Sequence, residues 1–386
     1  MENFEEKACL CALNRIFGFE PKIGLALISH LGSASQVFRL DTEVINSLIG
    51  PYSKYRDRIT MAAVEQAAKE LKLLEERGIH FCGITEASYP PMLKECEDPS
   101  IGLYIRSSTP PESLWNENSI GVVGTRDISP YGKEWCQKIV KSLSMTGQKP
   151  SIISGLALGV DITAHRTALD NGLPTIAVMA TGPDDIYPYR HRTDAERIAS
   201  SPGSALITDY PPGTAPLALH FLRRNRIIAG LSRSVLLIES KAKGGGLMTC
   251  RLAFSYNRDI YALPGRADDL RSAGCNELIR KKIAEPITSL STLIDSLGMK
   301  LKKASAPNLS ERLGSIYEGR IPNEDIALML SIIKEIRRVR GIAVDELSEN
   351  LGINFVKTME LTGMLEIEGI ISIDLLRRCS INLKFM

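Results

Sequence analysis

Between Ile120 and Gly265 short apolar runs and longer mixed stretches take turns along the chain. Each run is rich in β-branched residues and ends in a glycine-bearing turn, and a helix-length stretch follows it. The runs are SIGVVGTR from Ser119, SIISG from Ser151, TIAVMATG from Thr175, SALITDYPPG from Ser204, SVLLIES from Ser234 and DIYALPG from Asp259. This grammar predicts an open parallel sheet with crossover helices. In such a sheet ligands bind beyond the carboxyl ends of the strands, where helix N-termini and backbone N–H groups attract anions. The turns are therefore where function is expected.

The flanks follow other patterns. Residues 1–83 read as helical, with one segment through Leu13 and Ile16 and a second from Pro21 to His30. A third is capped by Asp41 and reaches Leu48, and a long one runs from Tyr55 to Arg77 and stops at Gly78. Within them FGFEPKIGLALISHLGS is similar to helix-hairpin-helix or sterile-alpha-motif segments, and also fits a plain packing bundle. The proline-rich stretch Thr85–Pro111 carries GLYIRS, whose Leu103, Tyr104 and Ile105 call for burial and predict an edge strand of the main sheet. The sheet domain then spans 84–298. Residues 299–322 are polar, basic and short of large apolar side chains, which reads as a linker.

Residues 323–386 hold three helical patterns: Asp325–Arg338, VDELSENLG stopped by Gly352, and a third from Asn354. A short hairpin is expected around Glu368-Gly369. Three helices and a wing make a winged-helix-like pattern. Its third helix, Asn354–Gly363, offers Lys357 and Glu360, whereas a duplex-reading helix displays several Arg, Lys, Asn or Gln. Protein contact, structural capping and duplex binding all stay open for it.

Composition narrows the class. A chain of 386 residues with 44% hydrophobic content and no low-complexity tract can fold into two or three domains. No stretch approaches ~18 consecutive apolar residues, and the acidic opening MENFEEK is unlike a signal peptide, so a cytoplasmic protein is expected. The eight cysteines are scattered without a C-x-x-C pair, which favours buried reduced thiols over zinc or disulfides. Neither a metal nor a cofactor is expected. A net charge of +2 means that any nucleic-acid surface must be a local concentration of cations.

Such concentrations sit at the turns. Gly121-Val-Val-Gly124-Thr125-Arg126 is not the dinucleotide fingerprint, and no acid closes the next strand where a ribose would need one. Arg126 instead puts a cation beside backbone amides, or pairs with Asp127 at the surface. In Ser154-Gly155-Leu-Ala-Leu-Gly159, two glycines four apart let the backbone approach an anion or let a helix pack closely. Asp161 and His165, one helical turn apart, could pair with each other or ligate a metal.

His220-Phe221-Leu222-Arg223-Arg224-Asn225-Arg226 is the most charged segment. Arginine forks suit phosphates and an aromatic face suits an unpaired base; one of these arginines is expected to serve an internal ion pair. Lys241-Ala-Lys243-Gly244-Gly245-Gly246 is a glycine-rich loop opening a helix. It lacks the Gly-Lys-Ser/Thr ending of a nucleotide-hydrolysing P-loop, so anion contact without chemistry fits it better. Together the turns describe a groove for an extended polyanion, with no convergent nucleophile and base.

In order along the chain, GVVGTRDISPYG, SGLALGVDITAH, IYPYRHR, DYPPGT, HFLRRNRIIAGLS, the glycine loop leading to RLA, LPG and GCNELIR resemble the DNA-processing protein A family, DprA or Smf. The resemblance covers the whole sheet domain. It implies an extended Rossmann-like, mostly parallel sheet with helices on both faces, flanked by helical and winged-helix domains. It further implies a cytoplasmic homodimer, not an enzyme, that binds single-stranded DNA, protects incoming strands during natural transformation and helps load RecA. DNA contacts are implied at Arg126, Gly155, Gly159 and His220-Phe221, at Arg223-Arg224-Asn225-Arg226, and at Lys243, Gly245 and Gly246. Two features depart from the family: Ala218 and Leu219 stand shortly before the phenylalanine where some relatives carry a basic residue, and Gly245-Gly246 stands where Gly-Ser is common.

Two other functions compete. The related fold of cytokinin-activating phosphoribohydrolases processes nucleotides with a glutamate just after a Pro-Gly-Gly-x-Gly-Thr loop; Gly244–Arg251 holds no acid. A duplex-binding regulator would work instead through the C-terminal helices.

Overall fold

The computed structural model describes residues 2–301, 313–314, 316–317, 319–339 and 341–382. They fall into two compact units, Met1–Lys302 and Lys303–Met386. Of the expected linker 299–322, residues 302–312, 315 and 318 lie outside the described residues, whereas Leu313 and Tyr317 are buried in the hydrophobic core of the second unit and are not linker.

Among the described residues of the first unit, nine strands form one sheet in the order β1-β2-β6-β5-β4-β3-β7-β8-β9. All six apolar runs are strands: β3 Ser119–Val123, β4 Ser151–Ser154, β5 Thr175–Val178, β6 Ala205–Thr208, β7 Ser234–Leu237 and β8 Asp259–Ala262, each parallel to its neighbours in this set. The fold is thus a Rossmann-like α/β sheet. Its strands are apolar at consecutive central positions and do not alternate, because both faces are covered. Val123, Ile153, Ile176, Val235 and Leu237 face one core, while their neighbours Val122, Ile152 and Leu236 face another. Helices Ala218–Leu231 and Gly245–Ser255 cover the first face; Pro130–Ser144 and Val160–Asp170 cover the second. Val235, Leu236 and Leu237 are fully buried, and each contributes roughly 1.5–3 kcal/mol by leaving water.

The edge is built differently from the expectation. GLYIR does form a strand, β2 (Gly102–Arg106), but it lies inside the sheet, antiparallel to β6 and to β1 (Ile79–Gly83). Five residues directly behind Gly78 are too few to stand out from a helical neighbourhood, so β1 carries no periodic signal of its own. A short β9 (Glu285–Pro286) closes the other flank.

The helices of 1–83 are Glu2–Phe17, Pro21–Leu31, Ala34–Val37, Thr42–Ile49 and Met61–Glu76. The last starts later than expected because Thr60 caps it, accepting from the Ala63 amide at 3.3 Å. These helices share one hydrophobic cluster with the sheet, from Ala8 through Ala284. The join is also polar: Asn14 donates to the Asp209 carbonyl at 2.8 Å and accepts from the Gly102 amide at 3.3 Å.

The second unit packs helices Asn323–Arg338, Val344–Leu351 and Phe355–Ile367 against strands β10 (Ile342–Ala343), β11 (Ile371–Ile373) and β12 (Arg378–Ile381), with sheet order β10-β12-β11. The hairpin turn falls at Asp374–Arg377, where Arg377 donates its amide to the Asp374 carbonyl at 2.9 Å, and not at Glu368-Gly369. Gly369 instead takes φ +66° just after the third helix, where a left-handed residue turns the chain into β11.

No helix among the described residues is long and apolar enough to cross a membrane, and no group of three or more metal-ligating side chains occurs among them.

Candidate nucleic-acid interface

From β3 the chain steps one way to β4, β5 and β6, then returns to the opposite flank with β7 and β8. The loops after β3 and β7 must diverge, and a crevice opens between them. A pocket of about 760 Å³ lies there. Its walls are Gly124–Asp127 after β3, the loop from Ser240 to Gly246 after β7, and one face of the helix Ala218–Leu231.

Arg126 is exposed at this rim, and its guanidinium lies 4.8 Å from the centre of the Phe221 ring. Tyr187 meets the same ring edge-on at 5.5 Å. Asp127 does not take up Arg126 as the surface pairing would have it; Arg271 holds Asp127 at 3.3 Å.

The charged segment 220–226 is helical, so its side chains cannot share a wall. Successive residues step by about 100°. Phe221, Arg224 and Asn225 face the pocket. Arg224 is 3% exposed, and its Nη1 donates to the Gly155 carbonyl at 2.7 Å and to the Val178 carbonyl. Arg226, about 200° further round, departs from the expected groove cation: it is buried in an ion pair with Asp209 and also bonds the Asp98 carbonyl and Ser100. Arg223 leaves the pocket for the N-terminal helices, bonding the Gly18 and Phe19 carbonyls. His220 is buried, with Nδ1 2.9 Å from the Ala215 carbonyl and its ring stacked on Tyr210 at 4.5 Å.

The glycines divide in the same way. A Cβ on Gly155 would sit 2.3 Å from Arg224, so this glycine seats the guanidinium behind the wall. Gly159 has φ +75°, and a Cβ there would meet the Thr125 carbonyl at 2.2 Å. It lets the β4 loop touch the β3 loop, where Val160 donates to Thr125 at 3.1 Å. Gly245 and Gly246 do line the pocket, at the start of the helix Gly245–Ser255. A Cβ on Gly246 would meet Gly124 Cα at 3.1 Å and the end of the Leu237 side chain at 2.8 Å, so this glycine lets the two loops approach closely.

The pocket collects four cations, Arg126, Arg224, Lys241 and Lys243, against two carboxylates, Asp127 and Asp161. Burial lowers the Arg224 pKa to about 10, opposed by Asp161, and leaves it cationic at neutral pH. Asp161 accepts from the Gly155 and Ala157 amides at 3.1 and 3.4 Å, while burial raises its pKa against the pull of Arg224. His165 does not pair with it. Its Nδ1 lies 2.7 Å from the Thr175 hydroxyl, and burial lowers its pKa to about 3. The positive end of the helix Gly245–Ser255 adds to a field that attracts anions.

Lys241 and Thr249, which belong to the glycine-loop motif read as an anion contact, line the pocket together with Tyr187, although none of the three was among the implied DNA contacts. Lys241 flanks the same glycine loop as Lys243. Tyr187 was readable only as part of IYPYRHR, because what aims it at Phe221 is a loop far away in sequence.

Fold and site define a Rossmann-like α/β protein with an anion-attracting, aromatic-edged crevice at its switch point. The model of the DNA recombination-mediator protein A family matches residues 80–298, and the chain belongs to that family. Protein Smf of Synechocystis sp. is 38% identical over 225 residues, which is 58% of this chain and 55% of that protein. The match thus spans little more than half the length of this relative. The X-ray structure of DNA processing protein A (DprA) from Streptococcus pneumoniae has a TM-score of 0.60 at 30% identity, covering 76% of this chain and 95% of that one. A Helicobacter pylori DNA processing protein A structure, described for its single-stranded DNA binding mode, has a TM-score of 0.50 at 29% identity and covers 56% and 95%.

Proposed function

We propose that this chain grips single-stranded DNA in the switch-point crevice. It shields the incoming strand during natural transformation and hands it to the RecA recombinase, as a cytoplasmic homodimer that catalyses no reaction itself. The observation that carries this reading is the Arg126 guanidinium set over the half-buried Phe221 ring in the crevice that the glycine-lysine loop also lines. Phosphates would meet Arg126, Lys241, Lys243 and the helix N-terminus, and an unpaired base would meet Phe221 and Tyr187. The description of the Helicobacter pylori relative as binding single-stranded DNA supports the choice of ligand. Gly155, Gly159 and Arg224 would shape the wall, and Arg226 and His220 would hold the helix in place.

The reading as a binder rather than a nucleotide-processing enzyme is supported by the state of Asp161, which is buried and tied to two backbone amides. In this reading the sheet, residues 84–298 with β1 (Ile79–Gly83) at its edge, is the DNA-binding part, and the helices before it are a sterile-alpha-motif-like or helix-hairpin-helix-like flank. The described helices and strands between Asn323 and Ile381 make a winged-helix-like arrangement whose Lys357 is held by Asp325 and Glu360, at 2.9 and 3.1 Å.

The test is a salt titration of binding to oligo-dT and to a duplex of equal length. Tighter single-strand binding that weakens steeply with salt is expected, since each neutralised phosphate releases counterions. Equal or stronger duplex binding would overturn the proposal. Release of free base from nucleoside monophosphates would replace it with the enzymatic function.

A further inference from the structure

Leu222 separates two concavities: it lines the switch-point crevice on one side and a second hollow of about 550 Å³ on the other. The second hollow is floored by Phe19, Pro21, Leu222, Met248 and Leu252, with Arg223 at its edge. Large apolar side chains lie open there: Phe19 is 42% exposed, Leu222 47% and Met248 41%. Phe19 comes from the turn between the helices Glu2–Phe17 and Pro21–Leu31, so it reaches this place only because the N-terminal helices pack on the sheet. It is fixed before any ligand arrives. The Arg223 guanidinium lies 4.5 Å from the ring centre and bonds the Phe19 carbonyl, and the His220 ring stands 5.5 Å away.

The apolar floor of this hollow suits the face of a base, and its three cations have partners within the protein: Arg226 pairs with Asp209, Arg223 bonds the Gly18 and Phe19 carbonyls, and Lys22 lies 3.6 Å from Glu97. The carboxylates at the rim, Glu20 and Asp98, are engaged by Lys54 at 2.9 Å and by the Tyr256 hydroxyl. A planar ring with ring nitrogens and carbonyls gains from stacking on an aromatic side chain and from an arginine fork at its edge. Continuity with the crevice across Leu222 names the source of that ring.

We propose that the single strand continues from the crevice over Leu222 and stacks a further nucleobase on Phe19. This extension rests on the crevice being a single-strand site. It makes the N-terminal helical segment part of the DNA track, and it gives Arg223 its use: holding the stacking platform instead of joining Arg126 in the crevice.

The experiment compares an oligo-dT of about 6 nucleotides with one of about 20 on the full chain, across salt. Phe19→Ala is expected to weaken the long oligonucleotide at least about fivefold, to spare the short one, and to leave the salt slope unchanged, because a stacked base releases no counterion. Phe19→Tyr should restore the affinity, and Met248→Glu, which places a carboxylate in the hollow without touching the crevice, should repeat the loss. If Arg126→Ala weakens both oligonucleotides while Phe19→Ala changes neither, or weakens both alike, the extension falls and the crevice stands. If the parent binds neither oligonucleotide better than duplex, both fall. Loss of protein–protein association with DNA binding intact in Phe19→Ala would assign the hollow to a protein partner and overturn the extension.

Discussion

The guanidinium of Arg126 rests 4.8 Å from the centre of the Phe221 ring, joining the turn after β3 to the helix Ala218–Leu231. The contact aims a cation and an aromatic face into one opening, which is what an unpaired base with its phosphate needs. Arg126→Ala is expected to weaken oligo-dT binding roughly tenfold and to lower the salt slope by about one, without loss of stability. Fluorescence anisotropy at several salt concentrations measures both; an unchanged slope would remove Arg126 from the phosphate contacts.

Arg226 should behave in the opposite way. It is 6% exposed and paired with Asp209, so Arg226→Ala strands a buried carboxylate. Breaking such a pair costs about 3–5 kcal/mol. Urea unfolding should show that loss, while the protein that remains folded binds oligo-dT as the parent does.

Gly159→Ala tests the tight contact between loops. The residue sits at φ +75° with the Thr125 carbonyl where a Cβ would go. Strain of about 1–3 kcal/mol is expected, together with weaker DNA binding, because relief of the clash moves the turn that carries Arg126. Denaturant midpoints and oligo-dT titration report the two effects separately.

His165 gives the fold an acid sensitivity. Its folded pKa is depressed from 6.5 to about 3 by burial, with Arg224 adding to the effect. The unfolded chain therefore takes up a proton that the folded one refuses. Stability from this group is complete above pH 6.5 and is lost as the pH falls from there toward about 3. One unit below the unfolded pKa the loss is about 1.4 kcal/mol. Urea midpoints between neutral and mildly acid pH should show it, and His165→Gln should flatten that part of the curve.

Removal of 303–386 separates the two units. The second unit has its own core of Met329, Ile332, Leu347, Leu361 and Leu365, so the truncated chain should fold and keep its oligo-dT affinity within about twofold. Abolished binding would transfer the DNA site to the C-terminal helices.

The six strands and their order in the chain were readable because a parallel strand buried on both faces carries consecutive apolar residues at its centre, and Ile120, Ile152, Ile176 and Val235 lie in such runs. β1 was not readable, since Ile79–Gly83 has its partner Gly102–Arg106 at a distance and gains its meaning from that pairing. The hairpin turn in the second unit moved for a related reason: Glu368-Gly369 has the residues of a turn, but the register between β11 and β12 places the reversal at Asp374–Arg377.

The arginines mark the boundary most clearly. Local composition determined that positive charge gathers at residues 223–226 and that glycines lie beside it, because residue types and spacing are properties of the chain itself. Which guanidinium faces the crevice, which holds Phe19 and which is buried against Asp209 was decided by the tertiary structure. A helix turns its successive side chains by about 100°, so neighbours in sequence look in different directions, and the partners that receive them arrive from Gly155, Phe19 and Asp209, far apart along the chain and adjacent only once it has folded.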